Sequence, residues 1–409
     1  MRAAFKTIAV LGLLTAACQP SASETPSRSE PPESAAPSVE STPTPLPVGW
    51  QVTTFGGTDG PAIARDVTSF EEGFVAVGVE FSEALPNLGP TPPHEGRIWL
   101  SSDGWSWEDV TPTAELENID LTEVFLRSDG TLVAHGVVSV PNADGTGVDP
   151  SQGAAWESSD GQAWQAIDLP IPVAQRVQVE SGALGFIALV YPGVDNEGAT
   201  LWFSTEGSAW AQVREMPFGF FDLDAGDEGF VVVGDTHQAD EANFEPYIIA
   251  SADGHEWIRS EDDPAGAFYA AALGGDWITV TWDFAETVTS WLSANGLDWA
   301  ESGTVAVETV NADAQTICRE YPTGLASTGS HVILTTTLSG PCSEGGFIIN
   351  KGAFLTTDSV TWEALPFPDG VVGEAQSGSR VDGAAENDRV LVLAGQLDGQ
   401  AALWTIVND

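Results

Sequence analysis

Ser101-Ser102-Asp103-Gly104-Trp105-Ser106-Trp107 is the first of six versions of one short phrase. The others are SSDGQAW ending at Trp164, STEGSAW at Trp210, SADGHEW at Trp257, SANGLDW at Trp299 and TTDSVTW at Trp362. The closing tryptophans lie 42 to 63 residues apart. A period of this length marks one supersecondary unit repeated, because a single unit cannot bury its apolar face without neighbours. In each phrase Ser and the acid suit a tight turn, Gly accepts a positive φ and Trp returns to the interior.

Four residues before each acidic position stands a large apolar residue: Trp99, Trp156, Trp202, Ile249, Trp291 and Phe354. Further upstream run stretches such as GFVAVG at 73–78 and GFVVVG at 229–234. Short apolar runs bounded by Gly, Asp and Pro, without a 3.6-residue period, predict strands, four to a unit. The phrases resemble the Asp-box (BNR) repeat of sialidase-like and related secreted β-propellers. In that resemblance Asp103, Asp160, Glu206, Asp253, Asn295 and Asp358 take the box position as structural turn residues, with Glu206 and Asn295 as near substitutes and Ser359 replacing the following Gly.

A seventh unit is split between the two ends of the sequence. LWTIVND at 403–409 matches a strand leading into a box, and GWQVTTF at 49–55 matches the strand that leaves one. The fold expected is therefore all-β, a seven-bladed β-propeller of four-stranded blades, spanning 48–409 and closed by pairing 49–55 with 402–408.

The segment before it has two parts. Residues 1–17 have a basic start at Arg2 and Lys6 and a short apolar stretch from Ile8 to Leu14, the pattern of a signal peptide. With Thr15, Ala16 and Ala17 leading into Cys18 it resembles a bacterial lipobox, which implies lipidation of Cys18 and a membrane-anchored, extracytoplasmic lipoprotein. Residues 18–47 are rich in Pro, Ser, Thr and Glu, the composition of a disordered tether.

From residue 48 onward 56 acids face 10 Lys plus Arg. So acidic a surface is a poor partner for nucleic acid, which needs clustered cations. No metal-ligand spacing appears among His94, His135, His237, His255 and His331, and no cofactor is expected, although Ca²⁺ is one use for abundant carboxylates. The alternative is a general solvation of the surface by charge. No catalytic residue emerges.

Propeller topology puts all boxes on one face and the longer loops, 81–96, 141–153, 237–246, 303–323 and 339–352, on the other, where binding is expected. Cys318 and Cys342 fall on that face, and in an oxidising compartment they are expected to form a disulfide. Arg65, Arg176 and Arg380 lie eight or nine residues before the second strand of blades one, three and seven, with Arg319 and Tyr321 near the same place in blade six. One reading is a ring that grips a carboxylate-bearing ligand at the central mouth; the other pairs these arginines with acids such as Asp66 and Glu123. The function expected is a monomeric binding module for an envelope protein or glycan. The family resemblance keeps two alternatives open: a sialidase-like glycan-cleaving enzyme, and a membrane-complex assembly factor like the lipoproteins of photosystem II assembly.

Overall fold

The computed structural model describes residues 49–407 apart from 57–59, 84–90, 113–115, 142–147, 169–170, 172–175, 192–197, 218, 238–243, 262, 283–286, 308, 314–315, 340–348, 366–379 and 398. These residues form seven antiparallel sheets, the blades of a β-propeller. The innermost strands, in blade order, are Ala62–Phe70, Ile119–Leu126, Arg176–Gly182, Gly219–Gly226, Ala270–Leu273, Thr316–Ser327 and Arg380–Glu386. Six sheets have four strands, as expected. The sixth has a fifth, Thr309–Asp313, which pairs with the first residues of an unusually long inner strand.

The ring closes as the split seventh unit predicts. Gln51–Phe55 is the outer strand of blade seven and pairs with 401–405, from Gln51 opposite Thr405 to Phe55 opposite Ala401. A second bond reinforces the seam: Thr405 Oγ1 donates to the carbonyl of Gly104 in the box of blade one. Cys18 and Cys342 lie outside the described residues. Of Cys318 only the backbone is described, in the inner strand of blade six opposite Val310.

Each box is built by its own side chains. Ser101 Oγ accepts the N–H of Gly104 at 2.8 Å, and Asp103 Oδ1 accepts those of Trp105 and Ser106 at 2.8 and 2.7 Å. Trp107 Nε1 donates to the Gly104 carbonyl at 2.9 Å. The boxes at Asp160, Asp253 and Asn295 repeat the acceptor pattern. Backbone donors hold the carboxyls of Asp160, Asp253 and Asp358 below the usual range.

The box glycine also sits against the preceding blade. A Cβ at Gly254, where φ is 75°, would lie 2.3 Å from Phe203 Cδ2 of blade three, and one at Gly161 would lie 2.7 Å from Leu100 Cδ1 of blade one. Blade six is the exception and shows the compensation. Ser359 takes φ 61° there. Its carbonyl accepts Ser290 Oγ of blade five at 2.9 Å, and Trp362 Nε1 turns to that same hydroxyl at 3.3 Å. Ser290 thus stands where the corresponding strands of blades one and four carry Ile98 and Ile248, one residue before Trp99 and Ile249.

Two substitutions test this packing with opposite signs. Gly254→Ala should cost about 2 kcal/mol or more, since it overpacks Phe203 and strains a left-handed residue. Ser359→Gly should gain about 1 kcal/mol, because it removes a non-glycine residue from that region and a buried hydroxyl without a partner among the described residues. Denaturant midpoints of the two variants against the parent decide both signs.

Candidate functional site: the central channel

The inner edge of each blade exposes backbone N–H groups that no strand of its own sheet can take. Burying them without partners would cost ~1–3 kcal/mol each. Side chains of the preceding blade supply acceptors. Asp66 Oδ2 takes the N–H of Val124 at 2.8 Å, Asp222 Oδ2 that of Ala270 at 3.0 Å, and Asp224 Oδ2 that of Ala272 at 2.7 Å. Gln178 Nε2 donates to Asp222 Oδ1 and to the Leu223 carbonyl, linking blades three and four. These bonds join neighbouring blades along the axis.

A β-bulge recurs in four inner strands. Arg65, Thr122, Thr323 and Asp382 are the extra residues in blades one, two, six and seven. All four line the cavity of about 270 Å³ on the loop-bearing side of the axis. A second cavity, of about 340 Å³, opens toward the box face between the turns at Gly182, Asp227, Gly274, Gly329 and Glu386. The two share Asp66, Glu123, Glu180 and Asp224 from four consecutive blades, and Ser327 and Ala384 from blades six and seven. The waist of the channel is acidic on one side and small and neutral on the other.

Burial raises the carboxyls of Asp66 and Asp224 to about 7, against the pull of two backbone N–H bonds on each. Glu180 is pushed well above the usual range, first by burial and then by Asp224, Glu123, Asp66 and Asp222 around it. Gln178 Nε2 donates to its Oε1 over a long 3.4 Å. No group of three or more His, Cys, Asp or Glu among the described residues is arranged to hold a metal ion.

Among the arginines expected at the mouth, Arg65 lines the channel and forms two bonds to Asp120 of blade two, Nε to Oδ1 at 3.2 Å and Nη2 to Oδ2 at 2.9 Å. Burial works against its charge, but Asp120 and Asp382 hold it fully protonated. Its partner is neither Asp66 nor Glu123. The bulge places Thr122, Thr323 and Asp382 at the level of Arg65. Arg176, Arg319 and Arg380 stand nearer the loop face, opposite Tyr191, Ser339 and Gln396, and their side chains lie outside the described residues. Tyr321 packs its ring on Trp282 at 5.6 Å. Sequence reading did not single out Glu180, Asp222 or Asp224; a carboxylate inside an inner-strand run was their one mark.

The other histidines divide. His135 is buried in the second strand of blade two, and burial lowers it to about 4. His331 Nδ1 meets Glu386 Oε2 at 2.7 Å, and Ser330 Oγ contacts the same ring nitrogen at 2.9 Å. Serine and carboxylate on one nitrogen is not the relay of a nucleophilic triad, which needs them on opposite nitrogens.

No family model matches the chain, and no curated protein matches it. Among solved structures it is similar to the β-propeller domain of the Trilobed protease from Pyrococcus furiosus, at 12% identity over 85% of this chain and 95% of that one, with a TM-score of 0.47. It is similar also to the Dos1 propeller, at 10% identity over 88% and 95% with a TM-score of 0.46. The six-bladed fucose-recognising lectin of Aleuria aurantia shows 10% identity over 78% and 100%, with a TM-score of 0.42. Each is a likeness of fold.

The channel acids fix a pH dependence. A carboxyl whose pKa is higher folded than unfolded stabilises the fold below the unfolded value and loses that contribution as pH rises to the folded one, here from about 4 to about 7 for Asp66 and Asp224. The box aspartates act oppositely and lose theirs as pH falls below about 4. Melting temperature should therefore be higher near pH ~5 than near pH ~8. The Asp66→Asn, Asp224→Asn double variant should show a flatter slope across that interval, measured by thermal denaturation at constant ionic strength.

Proposed function

We propose that this chain is a lipid-anchored, extracytoplasmic binding module of the Asp-box propeller type, and that its channel receives a small cationic ligand. The leader, Cys18 and the Pro/Ser/Thr tether support the address. The acidic waist carries the ligand reading. Glu180 faces a cavity of small-molecule size among four other carboxylates; burial first and their charges second push its carboxyl upward, and an amine there would offset both. One oxygen each of Asp66, Asp222 and Asp224 takes a backbone N–H of the next blade, and the other takes the N–H of the following residue in Asp66 and Asp224 and Gln178 Nε2 in Asp222, so they set the field while Glu180 meets the ligand.

The electrostatics turn the expected ligand around. A carboxylate at this mouth would face Asp382, Asp222 and Glu123, and Arg65 has its fork filled by Asp120. An organic amine suits the walls better than a bare divalent ion, since the described carboxylates do not converge as metal ligands.

Calorimetric titration of the full mature chain with putrescine and spermidine, with glutarate as the anionic control, tests the proposal. Amines should bind with release of a proton, more tightly as pH rises, and glutarate should not bind. Glu180→Gln should weaken amine binding roughly tenfold and remove the proton release. Absence of amine binding, or equal binding of glutarate, would overturn it.

A further inference from the structure

In a chain with 56 acids against ten cations beyond its tether, a guanidinium would be expected to find a carboxylate. Arg65, Arg97 and Arg127 do: Arg97 reaches Glu80 at 2.6 Å and Glu95 at 3.0 Å, and Arg127 reaches Asp129 and Glu157. Arg214, Arg259 and the exposed Arg389 form no ion pair among the described residues, and the first two meet at one ring. Arg214 Nη2 donates to the hydroxyl of Tyr247 at 3.2 Å, and Arg259 Cζ lies 4.8 Å from the centre of the same ring. Their remaining anchors are neutral carbonyls. Arg214 Nη1 donates to Trp257 O and Arg259 Nη2 to Pro246 O, each at 3.3 Å.

The fold fixes this pair in place. Arg214 is on the outer strand of blade three, Ala211–Glu215, and Arg259 on that of blade four, Ile258–Arg259. Arg259 lies opposite Ile249, whose side chain packs in the core cluster shared by blades three and four, so both guanidinium groups occupy the cleft between these blades. Tyr247 is 7% exposed and belongs to that cluster, which makes it a rigid post between them. Arg259 is exposed, so the cleft is open to solvent.

We infer that this cleft is an anion site, separate from the channel, that takes a single small oxyanion, a carboxylate or a sulfate ester. Two like charges against one ring repel each other, and the carbonyls and hydroxyl that hold them do not neutralise them. A guanidinium carries five N–H donors; the bonds described use two on Arg214 and one on Arg259, leaving forks that match an oxyanion. The ligand is small because Glu215, Glu256 and Glu261 flank the pair in sequence and oppose an extended polyanion. A screening length of ~8 Å damps the charge of the rest of the molecule more than that of the pair itself.

The test titrates the full mature chain, at fixed ionic strength, with galacturonate, inorganic sulfate and a heparin oligosaccharide, following backbone amide shifts. Galacturonate or sulfate should shift amides around Tyr247 and Trp257, and the tighter of the two assigns carboxylate or sulfate as the natural group. Arg259→Ala, at an exposed position, should leave melting unchanged and weaken binding roughly tenfold, and Arg259→Lys, which keeps charge without the fork, should recover only part of it. No binding of either small anion, binding undiminished in Arg259→Ala, or heparin binding more tightly than both would overturn the assignment.

Discussion

The close approach of each box turn to the blade before it is the contact on which the ring depends. A propeller blade is a twisted sheet with two apolar faces, and both must be covered by neighbours. The box supplies a turn whose glycine has no side chain at the point where the preceding blade presses in. Gly104 does this against Val390 and Val392, and in doing so ties blade one to blade seven. The same turn satisfies its own amides, so the contact leaves few polar groups bare at a dry interface. Ser359 shows the constraint by its exception. Where the glycine is lost, blade five presents the small polar Ser290 and the tryptophan changes its acceptor.

A ring of sheets creates a second problem at its axis, where seven inner edges meet. Ordinary edges are covered or charged to prevent pairing. Here the edge amides are taken by carboxylates of the neighbouring blade, a choice that costs desolvation and mutual repulsion, visible in the raised carboxyls of Asp66, Asp224 and Glu180. The resulting negative channel is therefore partly a consequence of how the ring is held. Glu180 departs from that role: its oxygens do not close a described backbone bond of the next blade, and this separates it from the structural carboxylates.

Much of the architecture was legible in the sequence because its signals are local. Box residues three to six apart make their own turn, and the split seventh unit matched at both ends. Pairing of 51–55 with 401–405 follows from that match. The channel was not legible, for two physical reasons. Acids are so frequent that Asp222 or Glu180 cannot be told from a solvated surface residue by type. Where the second strand begins is set by its pairing: eight residues before Gly73 stands Arg65 in blade one, and eight before Val390 stands Asp382 in blade seven, with Arg380 two residues further out. Register is a property of pairing, and a one-residue insertion moves every side chain after it to the other face. The Arg214 and Arg259 pair was hidden differently, since 45 residues and a blade boundary separate two side chains that share one tyrosine.

The two sites carry opposite charge, and the molecule's overall field treats them differently. A strongly negative surface draws cations toward the channel over distances longer than any contact, and it resists anions approaching the cleft. Both long-range effects fade as salt rises, whereas the short bonds within each site fade less. At low ionic strength the channel is thus favoured and the cleft disfavoured; toward physiological ionic strength the balance moves to the cleft. An acidic propeller is in this sense not a uniform repeller of acids. Its surface charge sets the background, and two departures from it among the described residues, the buried Glu180 in the channel and the Arg214 and Arg259 pair at Tyr247, are where selective binding can be read.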